Sequence, residues 1–241
     1  MFVMRNRNRW IVVWLAAVFF GAGLFVPQAH SAEVQGQRLM MIVGDAFQFT
    51  PGAWSSYTVH DRAKKEYYRM YIATLERLTR DGKPCSWMEV GVTPEKDPSV
   101  VTRFLVEETP RGPGEMLDVI VQVQGYAPFT VPESFYRGEG EDRDVGNFQG
   151  AAVARRIARR VIPIGGRTVN AWDVEAVDAR GETLEALVSE EVAPIGVVLA
   201  ETPLMGMYLS DWGSGAKSKI EGTPVNFYVW LMMQMGGALT K

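Results

Sequence analysis

Leu117-Asp118-Val119-Ile120-Val121-Gln122-Val123 alternates in character: Leu117, Val119, Val121 and Val123 fall on one side of an extended chain, opposite Asp118, Gln122 and Gln124. A period of two marks a strand with one face toward a core. The preceding segments repeat it. Val100 to Val106 places Val100, Phe104 and Val106 on one face, and Ser86 to Val92 does so with Met88, Val90 and Val92. Tyr67 to Glu76 carries Tyr68, Met70 and Ile72 on one face and Tyr67, Tyr71 and Leu75 on the other, and Asp81-Gly82-Lys83-Pro84 then supplies a turn. These four consecutive strands share an apolar face, and the second faces of Tyr67 to Glu76 and of Ile120 require a cover of their own.

Further strands are expected at Thr168 to Val177, Glu182 to Val188, Gly196 to Ala200 and Met205 to Leu209, with hairpin turns at Gly165-Gly166 and Ala179-Arg180-Gly181. The predicted fold is mainly β: a curved antiparallel sheet of about eight to eleven strands, forming an open or half barrel with one or two covering helices. The alternative is two small domains meeting near residues 138–146, where the polar run Gly138 to Asp144 lies.

One stretch breaks the strand pattern. On a helix, Val153, Ile157 and Val161 share an arc opposite Arg155, Arg156, Arg159 and Arg160, and the spacing predicts a basic amphipathic helix. Such a helix either covers the core, with its arginines paired to Glu139, Glu141, Asp142 and Asp144, or contacts anionic lipid or an acidic partner.

The N-terminus reads as an address. Arg5, Arg7 and Arg9 precede an uncharged run from Trp10 to Val26, then Pro27 and the small-residue stretch Ala29-His30-Ser31-Ala32. This is the order of a secretory signal peptide over residues 1–32, cut after Ser31 or Ala32, leaving one β-rich half-barrel domain over 33–241. An uncleaved anchor is the competing reading, since the run lies at the short limit of a membrane span. No cysteine stands at the processing site, and no Asn-x-Ser/Thr sequon occurs, which favours a bacterial envelope, periplasmic or secreted.

Charge and composition exclude several classes. With 25 basic and 28 acidic residues among 241, there is no electrostatic case for nucleic acid; removing residues 1–32 takes away three arginines and no acid, leaving the remainder mildly acidic. A hydrophobic content of 47% excludes wholesale disorder. One cysteine rules out an intrachain disulfide, and with a single histidine beyond residue 32 there is no typical zinc set, so neither metal nor cofactor is expected.

Nucleophilic chemistry finds little to stand on. His60 could pair with Cys85 or Ser56 in a hydrolase, but no Gly-x-Ser-x-Gly elbow is present; His60 reads as a turn residue and Cys85 as a buried small hydrophobe. Gly213-Ser214-Gly215-Ala216-Lys217-Ser218 has the ending of a phosphate loop but lacks the glycine before the lysine.

Gly52-Ala53-Trp54-Ser55-Ser56-Tyr57-Thr58-Val59, Tyr68-Arg69-Met70, Trp87-Met88-Glu89 and Val101 to Val106, followed by Glu190 to Val198 and Gly213 to Ser218, resemble uncharacterised bacterial periplasmic half-barrel proteins. That group is distantly similar to the outer-membrane lipoprotein-sorting (Lol) carriers. The resemblance implies a half-open barrel whose apolar concave face is closed by helices and binds acyl chains; the apolar run Val225 to Met235 departs from it. The reading is a non-enzymatic periplasmic protein binding a lipid or lipoprotein acyl chain. Trp54, Met70, Ile72, Met88, Val90, Phe104, Val119, Val121 and Trp172 are the expected lining. The alternatives are an envelope interaction protein with a protein or peripheral-membrane partner and no ligand, or a hydrolase using His60.

Overall fold

Two runs of antiparallel hairpins meet along one seam. The computed structural model describes residues 47–110, 112–136, 155–177, 183–202 and 205–238. The first run is β1 (Trp54–Asp61), β2 (Glu66–Arg80), β3 (Lys83–Pro94), β4 (Val100–Thr109) and β5 (Gly112–Val123), each paired with the next. After β6 (Phe129–Thr130) and a 3-10 turn at Glu133–Phe135, the second run is β7 (Arg155–Ile164), β8 (Arg167–Val177), β9 (Thr183–Val188), β10 (Val197–Glu201) and β11 (Met205–Gly213). β12 (Val225–Asn226) and the helix α1 (Phe227–Ala238) follow. Strand order is β12-β6-β5-β4-β3-β2-β1-β11-β10-β9-β8-β7, a single curved sheet that does not close into a barrel.

The expected strands are therefore present, and the sheet is longer than expected: the described residues form twelve strands, the extra ones including the short β6 and β12. All neighbours are antiparallel except β6 and β12, which run parallel because the chain returns to that edge by a crossing rather than a hairpin.

The seam is the pairing of β1 with β11, which sets Tyr57 opposite Leu209 and Val59 opposite Met207. Beyond it the sheet curls until β7 approaches β11 again. Arg167, at the start of β8, bridges that curl: it donates to Asp211 and, at 2.8 Å, to the Trp212 carbonyl, and its guanidinium lies 3.8 Å from the Trp212 ring centroid. Curling turns one face inward, where Tyr57, Val59, Met70, Ile72, Met88, Val90, Phe104, Val119, Met207 and Leu209 join Val169, Ala171, Val188 and Val197 in one core.

Residues 155–164 correct the helical expectation. They form β7, an exposed edge strand paired only with β8. The cause is the turn that follows: Gly165 and Gly166 both have positive φ, 56° and 80°, the two-residue hairpin geometry that aligns Ile164 with Arg167. Four arginines and Pro163 suit an edge, where charge and a missing N–H deter further pairing. Arg156 pairs with Glu190 and Arg160 with Asp173. The acidic run 139–144, the turn at 179–181 and the N-terminal address all lie outside the described residues.

Candidate functional site

The expected lining divides. Met70, Ile72, Met88, Val90, Phe104 and Val119 are 1–8% exposed and sit together in the inner core, and Val121 packs against it. Register explains the grouping: Met88 stands opposite Phe104, which in turn stands opposite Val119, while Val90 stands opposite Ile72. Trp172 packs at the margin of this core with the guanidinium groups of Arg156 and Arg159 5.5 and 5.9 Å from its ring centroid. Trp54 is the departure. Paired with Ala73, it belongs to the outer face, stacked on Tyr71 at 6.0 Å, with its indole N–H donating to the Ser214 carbonyl.

The inner face carries polar atoms as well. Thr74 pairs with Met88, and Thr102 with Val90 and Val121, which places both hydroxyls among the core side chains. Neither Oγ1 has a hydrogen-bond partner, although buried hydroxyls ordinarily find one. Tyr57 is on the same face and fully buried, its hydroxyl donating to the Val197 carbonyl at 3.1 Å. Burial raises its pKa well above the ordinary phenol value, with Ser55 opposing. Tyr68 is pushed up to about 12 by burial and then by the charge of Asp61. Phe47, Phe49, Val131, Tyr136, Val192 and Ile195 pack against or within this core, so the lining is covered by the chain's own side chains.

The outer face, whose apolar residues require a cover, lies under the segment from Ser214 to Pro224, whereas residues 155–161 belong to the edge strand β7 and 227–235 to α1. Segment 214–224 runs from β11 to β12, seven strand steps away. That is roughly 34 Å at ~4.8 Å per step, against about 40 Å for the extended chain between Gly213 and Val225, so the strap is nearly straight. Its side-chain anchors on the sheet, Tyr71, Glu89 and Gln122, alternate with the inner residues Met70, Met88 and Val121 and so belong to the outer face. Ala216 N–H donates to the Gly52 carbonyl at 2.9 Å, the Lys219 ammonium lies 3.4 Å from the Tyr71 ring centroid, and Glu221 exchanges two hydrogen bonds with the Gln122 amide. At the centre is Glu89 of β3, fully buried, accepting from Ser218 Oγ at 2.6 Å and from the Lys219 N–H at 2.8 Å. Burial lowers the Lys219 pKa, opposed by the Glu89 charge. Ser218, the last residue of the stretch with the ending of a phosphate loop, thus donates to a carboxylate of the same chain, and the neighbouring Lys219 N–H does the same.

His60 is not in a turn but within β1, stacked on Tyr67 at 4.2 Å. Cys85 is buried, as expected, with its thiol donating to the Lys83 carbonyl. The two cannot meet: His60 aligns with Tyr67 and Cys85 with Leu78 on β2, positions about 36 Å apart along the strand at ~3.3 Å per residue. Ser56 is four residues from His60 on the same strand, about 13 Å away. No group of three metal-ligating side chains occurs among the described residues. Sequence reasoning missed Glu89 and its strap, although a lone carboxylate inside the apolar segment Trp87-Met88-Glu89-Val90 was a signal.

No protein-family model and no curated protein matches the chain. Among solved structures it is similar to MucB, at 11% identity over 80% of this chain and 63% of that one, with a TM-score of 0.34. It is also similar to MucB in a crystal structure of its complex with MucA(peri), at 10% identity over 78% of this chain and 58% of that one, with a TM-score of 0.36. A third similar structure is a DUF1329 family protein from Desulfovibrio piger, at 11% identity over 77% of this chain and 94% of that one, with a TM-score of 0.29. The chain thus aligns with less than two thirds of the length of either MucB structure.

Proposed function

We propose that this chain is a non-enzymatic binding protein of the bacterial envelope, exported by residues 1–32, whose half-barrel domain over 33–241 takes an acyl chain on its inner face. The observation that carries the reading is the pairing of an adaptable apolar surface with orphan hydroxyls. Met70, Met88 and Met207 lie in the inner core, and methionine repacks around irregular apolar shapes. Thr74 and Thr102 add hydroxyls that a ligand carboxyl or ester would satisfy. A close-packed core admits a chain only by moving its cover, so binding involves displacement of the side chains now packed on the lining.

Two measurements test it: mass spectrometry of an organic extract of the purified protein, and titration with a fluorescent fatty acid. Thr102→Val removes an unpaired hydroxyl at constant shape; it leaves the fold intact and weakens binding of the carboxyl-ended probe about tenfold, the effect of roughly 1.4 kcal/mol from one lost hydrogen bond. Phe104→Asp abolishes uptake in a folded protein; if it instead unfolds the chain, and the wild type yields no extractable lipid and takes no probe, the inner face is an ordinary core. The second reading, an envelope interaction protein with no ligand, draws its support from that same complete cover over Met88 and Val90, which are 3% and 1% exposed.

A further inference from the structure

Helix α1 is apolar on the side that faces solvent. Projected at about 100° per residue, Trp230, Gln234 and Phe227 occupy one arc, and the remaining arc of about 200° is Leu231, Met235, Tyr228, Met232, Val229 and Met233 in angular order. Trp230 is buried on Phe129 at 4.4 Å, so the body of the protein holds the first arc. The six residues of the second are 38–68% exposed, and Phe135, 56% exposed beside Phe227, extends the patch. From Phe227 to Ala238 there is no charge.

We infer that α1 docks this protein on a lipid surface, lying in the boundary between headgroups and acyl chains. A wide arc without any ionic group matches hydrocarbon rather than a charged partner. A second copy is a poor fit by area: a 200° arc on a cylinder about 11 Å across and about 18 Å long offers roughly 350 Å², less than half the ~800 Å² per partner of a stable protein interface. Over its described residues the helix is about 18 Å long, short of the ~30 Å of a bilayer core, so the contact we infer is with the boundary of the bilayer and not a span across it. No charged residue falls between Phe227 and Ala238, so the contact we infer is apolar, and the arginines of β7, at the opposite end of the sheet order, are not part of it.

The test is flotation of the full chain with phosphatidylcholine vesicles, comparing wild type with the triple substitution Met232→Gln, Met233→Gln, Met235→Gln in preparations with the same N-terminus. Wild type floats, its partition changes less than twofold between 50 and 500 mM salt, and the triple variant partitions at least tenfold less with an unchanged melting temperature. Equal partition of the two proteins overturns the inference. So does binding that collapses with salt and is lost when Arg155, Arg156, Arg159 and Arg160 become Gln. A concentration-dependent dimer in ultracentrifugation, abolished by the triple variant in a protein that does not float, assigns the helix to a second copy instead. Fatty-acid uptake on the inner face is independent of each of these outcomes.

Discussion

Glu89 shows how much one residue organises. A carboxylate removed from water is costly unless its lone pairs are satisfied, and here a hydroxyl and a backbone N–H of the strap satisfy it. Glu89→Ala removes both acceptors and leaves the Lys219 N–H without its partner. Hydrogen bonds to a charged group contribute about 1.5–3 kcal/mol each, so the expected loss is ~3 kcal/mol, measured by urea unfolding. Gln122→Ala, whose contacts with Glu221 are exposed and neutral, costs about 1 kcal/mol on the same measurement. The strap was invisible to pattern reading because its residues alternate in no period; only the carboxylate on the strand beneath hinted at it.

At the scale of elements, residues 155–164 fit two periods at once. Apolar Ile157 and Val161, four apart, satisfy a helix, yet the pair of glycines after them decides for a strand. A left-handed backbone costs an L residue about 1–2 kcal/mol, and nothing lies within 4 Å of a Cβ built at Gly166. Gly166→Ala therefore destabilises by ~1–2 kcal/mol in thermal unfolding through backbone conformation alone, and Gly166→Asn by less. The strands read from strict alternation needed no such arbitration. Met88, Val90, Phe104 and Val119 face inward because parity leaves them one choice once Met70 and Ile72 do. Trp54 failed as a lining residue because its strand is related to β2 by a register that no single strand encodes.

Across the whole molecule, the curl is what makes a two-run sheet into a half barrel. Arg167 bridges strands that are far apart in sheet order, with its guanidinium on Trp212 and its donors on Asp211 and the Trp212 carbonyl. An exposed ion pair by itself contributes little, so most of the effect belongs to the stacked ring. Arg167→Ala costs about 1–2 kcal/mol, and a double-mutant cycle with Trp212→Leu returns a coupling of roughly 0.5–1 kcal/mol. If the coupling is zero, the curl is set by backbone twist and core packing, and Arg167 merely decorates it.

What the chain determined by itself was local: the strands of strict alternation, the grouping of their apolar residues on one face, the Gly165-Gly166 hairpin turn and the uncharged character of residues 227–238. Those follow from steric rules that act over a few residues, the two-residue repeat of an extended chain and the φ that glycine allows. Tertiary structure decided which strands meet, since the β1–β11 seam joins residues about 150 positions apart and no period reports it. It also decided which apolar segment is covered. The inner face is closed by the curl and the outer face by an aperiodic strap, while α1, equally apolar in sequence, is left with most of its circumference in water because burial depends on what else the fold brings alongside.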